Sequence, residues 1–129
     1  MGVFSGIITG WLKPYIDAWK KQIASAWSVN AEMAYKGAIL FLLLHLYGYK
    51  PQITSGYRSI EKQKELYDRW LAGDKTIHTP ALPGTSPHQK KIALDIWCTD
   101  PKSAAWIAHQ IGLKTGFEFN DPVHFQLSA

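Results

Sequence analysis

The chain has 129 residues, of which 47% are hydrophobic and 19% charged. This composition fits one globular domain with a single core and excludes an intrinsically disordered chain. The formal net charge of +4 favours acidic partners without choosing among them. The lone cysteine excludes an internal disulfide. The first basic residue, Lys13, follows the first apolar stretch instead of preceding it, so we predict no secretory signal peptide.

The first predicted element is an amphipathic helix in the N-terminal segment, residues 1–29. Apolar and aromatic side chains recur there at helical spacing, at Phe4, Ile8, Trp11, Leu12, Tyr15, Ile16, Trp19, Ile23 and Trp27. Pro14 is expected to kink or divide this helix. We expect the apolar face to pack on the core. The alternative is an interfacial helix, because a tryptophan-rich face beside lysines suits a membrane surface or a virion partner.

The next two predicted elements are a helix and a short strand. Asn30 is a suitable N-cap for a helix that runs to Tyr47. Residues 51–55 have the composition of a strand that ends in the turn around Gly56. Arg58 therefore lies at a corner between this strand and the helix that follows.

A further helix and a long loop come next. Ser59 can cap a helix that continues through Leu71. Residues 74–87 contain three prolines and Gly84, which is typical of a loop. This loop leads directly into His88 and therefore sets its position.

The last part of the chain alternates between short strands and a helix. Alternating side chains at 92–97 predict a strand in which Asp95 points away from the apolar face. A helix follows at 101–111 in the usual order of cap and then proline. A last strand, 123–127, turns its odd-numbered residues inward and places His124 on the opposite face. Helices followed by short strands predict an α+β fold with a small antiparallel sheet and flanking helices.

Three residues in this region supply the ligand set of a catalytic zinc site. Zinc that performs hydrolysis takes three protein ligands from histidine nitrogen and carboxylate oxygen and keeps one position for water. His88, Asp95 and His124 supply that set. Their spacing is too irregular for one helix, so a loop and two strands must converge on the metal. His78 and His109 lack matching partners and are expected on the surface.

Asp121 is the candidate general base for the attacking water, with Glu118 as the reserve candidate. Zinc lowers the pKa of its bound water to about 7, so an ordinary carboxylate can take the proton. Three extended residues would carry Asp121 ~10 Å from His124, too far to share a water. The step from Asp121 to Pro122 must therefore turn the chain back.

Two segments of the chain carry a family resemblance. The segment 86–95 reads SPHQKKIALD, and 121–126 reads DPVHFQ. They resemble the motif S-x-H-x-x-G-x-A-x-D and the closing H-F of the zinc peptidoglycan peptidases. This family includes D-Ala-D-Ala carboxypeptidases of the VanY type and the L-alanyl-D-glutamate endopeptidases of phage endolysins. The likeness covers roughly residues 30–129 and extends upstream through ITSGYRS at 53–59, the spacing to Gln63 and Leu66, and LPGTSPH at 82–88.

The resemblance implies a hedgehog/DD-peptidase-like fold for a zinc peptidase domain at 30–129, with Zn²⁺ held by the three ligands named above. It also implies that Arg58 stabilises the negative charge that develops on the substrate carbonyl oxygen. Alternatively, Arg58 holds a substrate carboxylate by paired hydrogen bonds. Lys91 stands where the motif has glycine. If that position requires a positive φ, the loop must either differ or be strained.

The implied function is zinc-dependent hydrolysis of an amide bond in the peptidoglycan stem peptide. Asp121 stands where the carboxypeptidases usually carry glutamate, which favours an L-alanyl-D-glutamate endopeptidase that acts as a phage lytic enzyme. The alternatives are a D-Ala-D-Ala carboxypeptidase and a non-catalytic, metal-containing module that binds the cell wall. We expect such an enzyme in the host cytoplasm until its release to the cell wall, or on the virion. Nucleic-acid binding is supported by charge alone and is not expected.

Overall fold

A computed structural model of the protein describes residues 4–77 and 79–128. Its helices are α1 Ser5–Thr9, α2 Lys13–Trp27, α3 Ala31–Leu46, α4 Ile60–Leu71 and α5 Pro101–Gln110. Its strands are β1 Gln52–Ser55, β2 Ala93–Trp97, β3 Lys114–Gly116 and β4 Asp121–Gln126. A short 3₁₀-helix, Phe117–Phe119, lies between the last two strands.

Within the described residues, the strands form one antiparallel sheet in the order β1-β2-β4-β3. This arrangement confirms the predicted α+β fold with a small antiparallel sheet and flanking helices. The sequence did not predict β3, because three residues are too few to show an alternating pattern. By pairing with β4, it makes β4 an interior strand. β4 also begins at Asp121, two residues earlier than predicted.

The N-terminal helices belong to the hydrophobic core. Residues 10–12 separate α1 from α2, and Pro14 lies in the first turn of α2, where its missing N–H breaks no helical hydrogen bond. Pro14 thus divides the predicted helix near its start. The apolar stripe packs inward, as the first interpretation predicted. Its buried members share one core with α3 and the sheet, and they are Phe4, Ile8, Leu12, Ile16 and Ile23.

Helix α3 lies at the centre of the molecule and contacts α2, α5 and β2. The side chain of Asn30 accepts a hydrogen bond from the N–H of Met33 at 2.8 Å, which confirms the predicted N-cap. Gly37 allows β2 to approach closely, because a Cβ atom there would lie 2.5 Å from Cδ1 of Leu94. Helix α3 therefore sets the position of the strand that carries Asp95.

Part of the N-terminal aromatic stripe remains exposed. Trp11, Tyr15 and Leu46 are exposed around an apolar groove of about 600 Å³ between α2 and α3. Trp19 stacks on Phe41 in the wall of this groove, with ring centroids 5.1 Å apart. No single helix in the described ranges is long and apolar enough to span a membrane. By length and composition, α2 and α3 pass such a test only together, as a pair bent by 119°.

Candidate metal centre

The register of the sheet brings Asp95 and His124 together. They lie directly opposite each other on β2 and β4, so their side chains share one face of the sheet. Ser55 on β1 is opposite Asp95 on the other side. A bulge in β1 produces this register. Ile53 pairs with Ile96, whereas Ser55, two residues further along β1, pairs with Asp95, which is only one residue away from Ile96. Three polar residues thus form a row across three strands.

His88 reaches this row from the preceding loop. Its N–H donates to Oγ of Ser86 at 3.2 Å, and its carbonyl accepts from the N–H groups of Arg58 and Lys91, each at 3.3 Å. Lys91 has a φ of 62°, in the left-handed region that favours glycine. For a residue with a Cβ atom, this conformation costs about 1–2 kcal/mol. The loop therefore keeps the positive φ at the position of the motif glycine and is strained there, which is the second of the two outcomes expected for Lys91.

The three candidate ligands present their atoms to a common point. Nε2 of His88 lies 3.1 Å from Oδ1 of Asp95, and Nδ1 of His124 lies 3.3 Å from the same oxygen. One ligand atom from each residue lies within 4.8 Å of the other two. Ligands bound 2.0–2.1 Å from a tetrahedral zinc ion are about 3.3 Å apart. The spacing and the donor types therefore fit one Zn²⁺.

Each imidazole is oriented by a hydrogen bond from the nitrogen that faces away from Asp95. Nδ1–H of His88 donates to the carbonyl oxygen of Gly56 at 2.7 Å, and Nε2–H of His124 donates to Oε1 of Gln126 at 2.8 Å. A metal ion can therefore take the place of a proton on the nitrogen of each ring that faces Asp95. Neither acceptor was predicted from the sequence. Every residue has a carbonyl, so Gly56 gives no signal, whereas Gln126 shares a strand face with His124 and was identifiable from that spacing.

The charges of the centre suit a cation. Burial raises the pKa of Asp95, but hydrogen bonds from His124 and His88 outweigh that effect and hold this pKa well below its usual range. Burial lowers the pKa of His124. Its hydrogen bonds to Asp95 and Gln126 and the negative charges of Asp95 and Asp121 outweigh that effect and raise this pKa overall. Asp95 is therefore ionised at neutral pH, which is the state that binds a metal ion.

Arg58 lies beside the centre and is fixed by three partners. Its Nη2 is 3.5 Å from Oδ2 of Asp95, the oxygen that does not face the imidazoles, and donates to Oγ of Ser55 at 3.1 Å. Its Nη1 donates to Oε1 of Gln63 at 2.9 Å. Gln63 is 1% exposed, and its Nε2 donates to the carbonyl oxygen of Ala81 at 2.8 Å. Gln63 thus connects the guanidinium to the proline-rich loop, a role that its spacing in the sequence did not reveal.

A cavity of about 420 Å³ opens over the centre. It is lined by the three predicted ligands, the first-choice base and the predicted arginine: His88, Asp95, His124, Asp121 and Arg58. Asp121, a carboxylate that is not one of the three candidate ligands, therefore borders the same open space as they do.

An irregularity in β4 brings Asp121 to this side of the sheet. Thr115 pairs with Phe125, but the next residue of β3, Gly116, pairs with Asp121, so β4 contains extra residues at this point. Such a bulge bends the strand and redirects its side chains. It also explains the departure at Val123, which was predicted to face inward but is half-buried and lines the cavity.

The remaining candidates lie elsewhere. Glu118 is exposed and lines a separate cavity between α5 and the 3₁₀-helix, so the structure does not bring the reserve base to the centre. His109 is exposed, as predicted. His78 lies outside the described residues.

Several solved structures of peptidoglycan peptidases are similar to this chain. One is a mutant of the vancomycin-resistance D,D-pentapeptidase VanY in complex with Zn(II), which is 23% identical with a TM-score of 0.61 over 78% of this chain and 73% of its own. VanYB in complex with D-alanine-D-alanine is 25% identical, with a TM-score of 0.61 over 78% and 72%. The LD-carboxypeptidase LdcB is 25% identical, with a TM-score of 0.59 over 77% and 58%.

Residues 27–123 match the family VanY, described as D-alanyl-D-alanine carboxypeptidase. The chain belongs to this family. No curated protein matches it at a significant level. Family membership confirms the resemblance and the predicted class of enzyme. The predicted zinc cofactor agrees with the Zn(II) of the similar VanY structure and with the His–Asp–His group here.

The end of α2 packs against the residue that orients His88. The carbonyl of Trp27 accepts a hydrogen bond from the N–H of Tyr57 at 2.8 Å. A Cβ atom at Gly56 would lie 2.5 Å from both Cβ and the carbonyl oxygen of Trp27. Only glycine therefore fits at position 56 without a shift of Trp27 or of the backbone whose carbonyl holds the His88 imidazole.

We predict that Gly56→Ala weakens zinc binding by about 10- to 100-fold, the usual effect of losing a hydrogen bond that orients a ligand. The added methyl group must displace either Trp27 or the carbonyl that holds His88. Competition with a fluorescent zinc chelator measures the affinity. Gly6→Ala is the matched control, because a Cβ atom there meets nothing within 4 Å. Equal zinc affinities for the two variants would contradict this coupling.

Proposed function

We propose that the protein is a zinc-dependent peptidase that hydrolyses an amide bond in the peptidoglycan stem peptide. Its metal ligands are His88, Asp95 and His124, and its general base is Asp121. The observation that carries this proposal is the spacing of the three ligand atoms, which fits one Zn²⁺ in the floor of a cavity that Asp121 and Arg58 also line. Membership of the VanY family supports the substrate class.

The residues divide the work of hydrolysis among them. Zn²⁺, when bound, polarises the attacking water and the substrate carbonyl. Asp121 takes a proton from the water as its oxygen attacks the carbonyl carbon, and then gives a proton to the leaving amine as the C–N bond breaks. The guanidinium of Arg58, which three hydrogen-bonding or ionic partners hold in place, stabilises the negative charge on the carbonyl oxygen. Its alternative role is to hold a substrate carboxylate.

Two bonds in the stem peptide are candidates for cleavage. Aspartate at position 121, where the carboxypeptidases usually carry glutamate, supports an L-alanyl-D-glutamate endopeptidase. Membership of the D-alanyl-D-alanine carboxypeptidase family and the likeness to VanYB in complex with D-alanine-D-alanine support the D-Ala-D-Ala bond. The endopeptidase activity would suit a phage lytic enzyme that stays in the host cytoplasm until its release to the cell wall, or that is carried on the virion.

We predict that the zinc-loaded protein releases peptide fragments from purified cell wall and that a chelator abolishes the release. Mass spectrometry of the products identifies the bond. Cleavage of the D-Ala-D-Ala bond releases free D-alanine, whereas cleavage of the L-alanyl-D-glutamate bond gives a peptide with a free glutamate N-terminus.

Asp121→Asn should retain stoichiometric zinc and lose about 10²- to 10⁴-fold in rate, the usual contribution of a general base. A wild-type rate in this variant would remove Asp121 from the mechanism. Zinc loading without any fragment release would support the binding module instead.

The exposed N-terminal aromatic residues support a second proposal, contact with a membrane surface. Trp11, just before α2, and Tyr15, in its first turn, are exposed beside an apolar groove, and Lys13, which pairs with Asp17, lies between them in the sequence. Aromatic and lysine side chains together favour the interface of an anionic bilayer. A virion protein is the alternative partner for the same surface.

We expect the full chain to co-sediment with vesicles that contain anionic lipid, and the double variant Trp11→Ser with Tyr15→Ser to bind at least about tenfold more weakly. Point variants are needed because removal of the N-terminal segment would also remove core residues. Trp97→Ser is the control, since Trp97 is an exposed tryptophan on the sheet. Equal binding by all three proteins, or no binding by any, would exclude membrane contact through this surface.

A further inference from the structure

A second groove, of about 530 Å³, adjoins the metal-centre cavity. It runs between the end of α2 and the turn from β1 to α4. Residues 26–28 form one wall, and residues 54–59 with Lys62 form the other. We call it the Tyr57 groove. Neither the sequence motifs nor the ligand geometry assigned it a role.

The Tyr57 groove and the metal-centre cavity are neighbours, because Arg58 lines both. The metal-centre cavity, at about 420 Å³, lies toward the small end of the range for ligand pockets. It has room for the few residues around a scissile bond but not for a whole stem peptide. A longer substrate must therefore leave the cavity, and the side chain of Arg58 marks one way out.

The charges along the Tyr57 groove favour an acidic ligand. Arg58 and Lys62 line it, and among the described residues that do so none carries a carboxylate. A third cation stands nearby, because Nζ of Lys91 lies 5.2 Å from the ring centroid of Tyr57. Two acidic residues oppose these three cations: Asp95 lies 3.5 Å from Nη2 of Arg58, and Glu65 lies 3.3 Å from Nζ of Lys62 in an exposed pair that is weak in water. The local charge is therefore positive.

The walls of the groove are fixed before a ligand arrives. The carbonyl of Trp27 binds the N–H of Tyr57 at 2.8 Å, and the close packing at Gly56 locks the two segments together. The side chain of Tyr57 is 45% exposed, so its ring remains available to a ligand. A rigid groove loses little entropy on binding, which raises affinity.

We propose that the Tyr57 groove binds an acidic, carboxylate-bearing peptide segment of the substrate, on the far side of Arg58 from the metal centre. This inference rests on the proposed function, because it assigns the groove to the same substrate. Lys62 and Lys91 attract the carboxylate, while Tyr57 and Trp27 contact the peptide. The N-terminal segment thereby contributes Trp27 to substrate recognition.

The test compares two synthetic stem pentapeptides that differ only in one side-chain carboxylate, which is free in one and an amide in the other. Lys62→Glu should raise KM for the acidic peptide about fivefold, with a smaller change for the amidated peptide and little change in kcat. Lys64→Glu is the matched control. It reverses an exposed charge on the same helix, where Lys64 pairs with Asp68 and does not line the groove. Equal effects of the two variants on KM would overturn the proposal.

A binding measurement separates this proposal from the proposed function. In an NMR titration of the full chain with the acidic peptide and a chelator present, the amide signals of Tyr57, Ser59 and Lys62 should shift. The shifts should weaken about fivefold in Lys62→Glu and in the amidated peptide. Such shifts without hydrolysis by the zinc-loaded protein would support binding in the groove and overturn the proposed peptidase activity. Hydrolysis without such shifts would support the peptidase activity and overturn binding in the groove.

Discussion

The carboxylate of Asp95 is the group on which the rest of the centre depends. One of its oxygens faces the imidazoles of His88 and His124, and the other faces the guanidinium of Arg58. A half-buried carboxylate is stable only when its charge is compensated. Loss of any one of these partners would weaken that compensation. The same arrangement keeps the ligand ionised and holds the arginine beside the cavity.

Two helices support this group. At Gly37, α3 meets Leu94, the neighbour of Asp95, and at Gly56 the end of α2 meets the carbonyl that orients His88. The hydrophobic core therefore crosses the predicted boundary at residue 29 and includes both N-terminal helices. The N-terminal segment thus contributes to the core, as its apolar stripe predicted, and its end also packs against the residue that orients His88.

Sequence predicted the long elements and the polar residues of the centre, but not the irregularities that bring them together. Asn30 and Ser59 cap their helices as expected, because a capping side chain acts locally. The bulge before Ser55, the bend in β4 and the pairing of β3 depend on strands far apart in the chain, so no local pattern reveals them. The bend in β4 places Asp121 near His124. The sequence had already indicated that the chain must turn there, because three extended residues would carry Asp121 too far from His124 to share a water. The acceptor at Gly56 is a backbone carbonyl and has no signature at all.

The most direct test is a crystal structure of the zinc-loaded protein with anomalous scattering measured on both sides of the zinc absorption edge. We predict a single zinc peak about 2.0–2.2 Å from Nε2 of His88, an Oδ atom of Asp95 and Nδ1 of His124, the usual bond lengths for these donors. A zinc peak bound by other residues, or a protein that takes up no zinc while these three side chains keep their places, would contradict the assignment of this group as the metal centre.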